Sequence, residues 1–281
     1  MQLIKSTLAL TPLIWSALAL ASPSVGSQQA PETQTLFYAD LADLANRSPV
    51  IAIATIGKTE WLHKELAVNV PPGHARLLVT AMVDTLLRGD HGLPPRITYL
   101  FDVPLTAANR PPKLRKQKFL IAASEVPGKP DMLQLVSAQA QMAWSESNEA
   151  LARKIISDLV RPDAAPTIIG IGNAFHVPGS LPGESETQIF LKTKDERPVS
   201  LSILRRPGED PRWSVALGEM VDESAPSPAP DTLLWYRLAC FLPDSLPAQS
   251  VTDMSPDDAI ATNADYRFVM EQLGACKRAP H

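Results

Sequence analysis

The chain is short of several features that would have announced an activity. Only two of its 281 residues are cysteine, so it has neither a dense disulfide framework nor a paired-cysteine zinc site. Aromatic residues make up 6% and charged residues 20%, a composition within the range of ordinary globular proteins. Lys plus Arg number 26 against 30 Asp plus Glu, and a formal charge of -4 supplies no overall basic field for nucleic acid. No serine sits in a Gly-x-Ser-x-Gly elbow or a Ser-x-x-Lys pair. His63, His74, His91, His176 and His281 are scattered, with no His-Glu-x-x-His, so no metal site is expected. Gly170-Ile171-Gly172 opens like a dinucleotide fingerprint, but Phe175 stands where the third glycine belongs. No phosphate-binding loop is present, and no cofactor is expected.

The N-terminus, by contrast, carries a clear signal. Lys5 precedes a mostly apolar run over 8–20, and Ala17-Leu18-Ala19 and Ala19-Leu20-Ala21 both offer the small residues that a signal peptidase requires. Cleavage after Ala19 or Ala21 is expected, with 1–21 as signal peptide and 22–35 as a polar linker. No later stretch approaches the roughly 18 uninterrupted apolar residues of a transmembrane helix. The reading is an exported protein of the periplasm, or a secreted one. In an oxidising compartment Cys240 and Cys276 are expected to pair; two separate buried thiols are the alternative.

The 27 prolines, about twice the usual share, favour turns and strand ends over long helices. A short helix over 36–46 should lead into a strand over 49–57, followed by an irregular excursion over 58–74. Alternating apolar positions predict strands over 76–87 and 95–103, and two more follow at 119–124 and 133–137. Five short strands joined by turns are the size of a small closed barrel, so 36–146 is expected to be an OB-like domain. The stretches LLRGDHGLPP and RITYLFDVP between Arg76 and Val103 resemble the OB-type barrels of the netrin and metalloproteinase-inhibitor class. In that class inhibition depends on a cysteine at the mature N-terminus, which this chain lacks, so the resemblance implies the barrel and not the inhibition.

Ser147 is expected to cap an amphipathic helix that ends before Pro162 and could link two domains. The segment 147–281 should then hold a three-strand meander at 187–193, 199–204 and 213–217. An apolar run of undecided type covers 233–242, and a tail helix near 265–273 is stapled by the disulfide. The fold class expected is mainly β with a few helices, α+β: a small barrel plus an antiparallel sheet packed with helices.

Two stretches carry candidate chemistry. His176, Ser180, Glu184 and Glu186, with Ser185, fall in one glycine- and proline-shaped loop over 172–186; imidazole, hydroxyl and carboxylate are the residue types of acyl transfer. The plainer alternative is that His176 and Glu186 hydrogen-bond loop backbone. Arg110, Lys113, Arg115, Lys116 and Lys118 put five basic residues in nine, a positive rim for an anionic partner or else a solvated turn that discourages edge pairing. Trp61, Trp144, Trp213 and Trp235 could line a carbohydrate site, although Trp213 and Trp235 lie on core-like patterns.

The stretches GIGNAFHVPGSLPGESETQIFL, SILRRPGEDPRWSVALGE and DTLLWYRLACFLP are similar to an uncharacterised exported protein family of Gram-negative bacteria. That resemblance implies a periplasmic address and no activity. The expectation is a non-enzymatic envelope binding or interaction protein that meets another envelope protein or a cell-wall component, without nucleic acid. The alternative is a periplasmic hydrolase using the loop around His176.

Overall fold

β1 (Val50–Leu62) begins with VIAIA, an unbroken apolar run, because its first half is buried on both faces. Val50, Ala52, Ala54 and Ile56 point into one core, and Ile51 and Ile53 point into another. These two cores organise the chain. The computed structural model describes residues 36–218 and 227–279. The expected signal segment, the linker 22–35, the first half of the 223–230 loop and His281 lie outside them.

The first core fills a five-stranded barrel made of β1, β2 (His74–Arg88), β3 (Arg96–Pro104), β4 (Lys118–Val126) and β5 (Lys129–Leu135). The strand order is β1-β2-β3-β5-β4, and β4 closes back on β1 from Val50↔Ala123 to Thr55↔Lys118. The barrel is OB-like, and closure leaves its central strands without open edges. Leu77, Val79, Ala81, Ile97 and Tyr99 supply the interior side of the β2 and β3 alternation, each at most 1% exposed. Each large apolar side chain buried this way contributes about 1.5–3 kcal/mol. The Tyr99 hydroxyl donates to Gln141 Oε1 at 2.8 Å, so the phenol is buried without an orphan polar group.

Several expected boundaries shift. Residues 58–62, read as part of a loop, continue β1, because Lys58 to Leu62 pair with Thr80 to Arg76 in a hairpin that outruns the barrel. β5 starts at Lys129 rather than 133, since Pro127-Gly128 makes the turn alone, with Gly128 at a φ of 73° that favours glycine. A short strand, β6 (Gln141–Ala143), extends the sheet beside β4. The next helix, α2 (Glu146–Val160), is capped two residues earlier than expected: Ser145, not Ser147, accepts the Asn148 N–H.

The second sheet is a four-strand antiparallel meander, not three. β7 (Ile168–Pro178) joins β8 (Ser185–Thr193), β9 (Val199–Arg205) and β10 (Arg212–Ala216) in the order β10-β9-β8-β7. β7 was hidden because two register shifts, between Ile168 and Gly170 and between Ile171 and Ala174, break its alternation. The undecided run becomes α3 (Leu233–Ala239), with the Thr232 side chain accepting from Trp235 N. The tail helix α4 (Pro256–Leu273) begins nine residues before the expected start, behind a Ser255 cap.

The inner face of this sheet, through Ile168, Ile189, Leu201 and Ile203, meets α1 (Tyr38–Arg47), α2, α3, α4 and the barrel's outward Ile51, Ile53 and Leu120 in the second core. That core takes side chains from both the 36–146 and the 147–281 segments, and Ala152 and Ile155 of α2 are buried in it rather than spanning a linker. Trp213 and Trp235 are core residues at 8% and 6% exposure. Cys240 and Cys276 are disulfide-bonded, fastening the chain after α4 to the end of α3. Among the described residues no helix is long and apolar enough to cross a membrane.

Candidate functional site

The expected His176 loop is not a loop at its key position. His176 lies within β7 opposite Thr187 of β8, and its side chain, only 8% exposed, turns to the sheet's inner face. Its Nδ1 lies 2.7 Å from Thr187 Oγ1, and that hydroxyl donates to Asp265 Oδ2 of α4. A hydroxyl has one proton to give, so Nδ1 carries the hydrogen of the His176–Thr187 bond. The other Asp265 oxygen accepts from Arg205 Nε at 2.5 Å. Four side chains from three strands and a helix therefore form one chain, around a carboxylate that is 1% exposed.

The other expected members stand apart from it. Glu184 Oε2 accepts from the backbone N–H groups of Ser180 and Leu181, at 3.0 and 3.3 Å, and so closes the β7–β8 turn. Gly179 makes room for this, since a Cβ there would lie 2.3 Å from Glu184 Cγ. Glu186 accepts from Gln188 Nε2, while its strand partners Val177 and Leu204 place it on the opposite face from His176. Ser180, Glu184 and Glu186 make no hydrogen bond to His176 among the described residues. The sequence placed them together because they are adjacent in the chain; strand alternation separates them.

Thr187, Asp265 and Arg205 were missed. One signal was legible for Asp265: it shares a helical stripe with Thr262, Tyr266 and Val269, and a carboxylate on a buried face must find a partner. Nothing local named that partner as Arg205.

The basic rim is displayed on a loop pinned to the barrel. Leu114, 8% exposed, inserts into the barrel core, and Lys116 N donates to Ile56 O at 2.7 Å. Arg110, Lys113, Arg115 and Lys116 point to solvent around this anchor and form no ion pair among the described residues. Lys118 differs: it opens β4, sits 3.9 Å from Asp84 and stacks 4.6 Å over the Trp144 ring. Trp144 in turn donates to Glu149, and that bond, followed by those from Arg153, holds the Glu149 carboxyl below its usual range. Trp61 stacks on His63 at the tip of the long hairpin, so the four tryptophans form no common surface. Among the described residues no three His, Cys, Asp or Glu side chains converge as a metal site would require.

Two grooves among the described residues bear on function. One, of about 440 Å³, opens on the barrel where β3 and β5 part company. These strands run parallel and meet at one residue pair, Thr98↔Met132. Beyond it Leu78, Leu100, Met132 and Leu135 line the walls over Tyr99 and Leu133. At the rim Arg76 grips Asp102 with two hydrogen bonds of 2.8 Å and donates a third to Val68 O. The second groove, of about 420 Å³, lies between the β7–β8 turn and the end of β9. A scan against models of protein families finds no match for the chain, and neither does a search of curated proteins.

Proposed function

We propose that this is an exported, non-enzymatic binding protein of the cell envelope, and that it meets a partner protein through the barrel groove between β3 and β5. The single observation behind this reading is the parting of β3 and β5 after Thr98↔Met132, which opens an apolar groove in an otherwise closed barrel. Leu100, 48% exposed at its wall, is the apolar anchor that a partner would cover. The bidentate Arg76–Asp102 pair holds the rim in one geometry, which lowers the ordering cost of binding. The signal-like N-terminus and the disulfide are compatible with export. The hydrolase alternative is not taken up, because the residues it needs are dispersed over two faces of a sheet and a turn.

The test is in-cell photo-crosslinking of the tagged protein in its native envelope, with the photoreactive side chain at position 100, and at Val160 on α2 as the control. A defined adduct from position 100 and none from 160 is the expected result. Equal capture at both positions, or none at 100, overturns the reading. A variant with Lys113, Arg115, Lys116 and Lys118 charge-reversed separates the two surfaces: the adduct persists if the groove is the contact and disappears if the basic loop is.

A further inference from the structure

We propose that the second groove, at the end of the four-stranded sheet, binds a small ligand through a carboxylate, with Arg205 as the anchor. This goes beyond the reading above and concerns a different surface. Arg205 lines the groove, and its side chain is 36% exposed, while the carboxylate behind it is 1% exposed. Asp265 takes only Nε. The guanidinium is planar, so fixing Nε fixes the direction of Nη1 and Nη2, and neither makes a hydrogen bond among the described residues. Thr187, itself held by His176, donates to the remaining Asp265 oxygen. The chain through His176, Thr187 and Asp265 is thus a mount that aims a guanidinium fork.

The surroundings suit an anion of one charge. Ser185 pairs with Arg205 across β8 and β9 in direct register, which sets their side chains on the same face with Cβ atoms about 5 Å apart. The hydroxyls of Ser185 and of Ser180, also in the groove wall, make no hydrogen bond among the described residues. Glu184 and Glu186 also line the groove, but both are engaged: Glu184 accepts from the backbone N–H groups of its own turn, and Glu186 accepts from Gln188 Nε2. Asp265 offsets part of the Arg205 charge, and Glu184 and Glu186 stand in the lining beside Arg206, a balance that favours a monoanionic carboxylate over a dianionic phosphate. A carboxylate also matches the two parallel N–H donors of the fork.

The experiment is an NMR titration of the protein with the dipeptide Ala-Ala, its C-terminal amide and inorganic phosphate, in parallel. Saturable shifts at Ser180, Ser185 and Arg205 with Ala-Ala, and about tenfold weaker binding of the amide, are expected. Arg205→Lys keeps a cation beside Asp265 but loses the fork, and should weaken Ala-Ala about tenfold. Ser185→Ala, which leaves the buried chain intact, should weaken it about threefold. Equal binding of the amide, tighter binding of phosphate, no shift with any probe, or an unaltered Arg205→Lys affinity each overturns the proposal.

Discussion

The Thr187 hydroxyl of β8 donates to the Asp265 carboxylate of α4 across 78 positions of sequence. Thr187 is fully buried and bridges Asp265 and His176, whose Oδ2 and Nδ1 lie 3.9 Å apart, so it bears on packing and on the direction of Arg205 alike. Thr187→Val preserves shape and removes the hydroxyl. It leaves both Asp265 Oδ2 and His176 Nδ1 short of a partner, and should cost about 1–3 kcal/mol. Urea unfolding measures this; a loss below about 0.5 kcal/mol would mean that the link contributes nothing to the fold.

The disulfide between Cys240 and Cys276 closes a loop with a sequence separation of 36. Replacing both cysteines by serine should destabilise the protein by about 3–4 kcal/mol in the chain-entropy account. The tail would be the first part released, because Arg278 on Asp43 and Ala279 N on Asp40 Oδ2 are its hold on α1. Hydrogen exchange of α1 and of residues 274–279, compared between native and double-serine protein, checks it.

All four tyrosines of the chain, Tyr38, Tyr99, Tyr236 and Tyr266, have hydroxyl pKa values raised above the ordinary phenol range. Burial is the first cause for each, and for Tyr236 the hydrogen bond to Asp43 adds to it. A phenol whose folded pKa is raised contributes stability that is fully present below its unfolded pKa of about 10 and is lost as pH rises toward the folded value. Stability should therefore hold up to about pH 10 and then fall steeply. Phenolate absorbance is expected to appear together with unfolding; an ordinary titration in the folded state near pH 10 would contradict the burial of these rings.

Arg237 is 6% exposed, donates to Asn46 Oδ1 at 3.0 Å, and leaves its Nε without a hydrogen-bond partner among the described residues. Burial lowers its pKa, the mark of a cation held away from water. Its compensation is the Tyr236 ring, 5.6 Å away. Arg237→Met should leave the protein unchanged or stabilise it by about 1–2 kcal/mol. A loss above about 2 kcal/mol in a denaturant titration would show that the cation is worth more than its desolvation costs.

The local patterns of the chain determined a good deal of this protein. Alternation in 76–87 and 95–103 located β2 and β3, because a barrel strand with one face inward must alternate; the five strands also implied a small barrel. Where a segment answers to two surfaces, the local signal failed. β7, broken by two register shifts, looked like a loop, and the mostly polar residues 58–62 concealed how far β1 runs beyond its buried first half. The Cys240–Cys276 pair was expected from counting alone, since two thiols have one possible partner each. The chain linking His176, Thr187, Asp265 and Arg205, the single contact between β3 and β5, and the facing of Glu186 away from His176 were decided only by the tertiary structure. Each depends on which strands lie side by side and on which face of a sheet a helix settles, and these are set by burial summed over the whole chain rather than by any residue's neighbours in sequence.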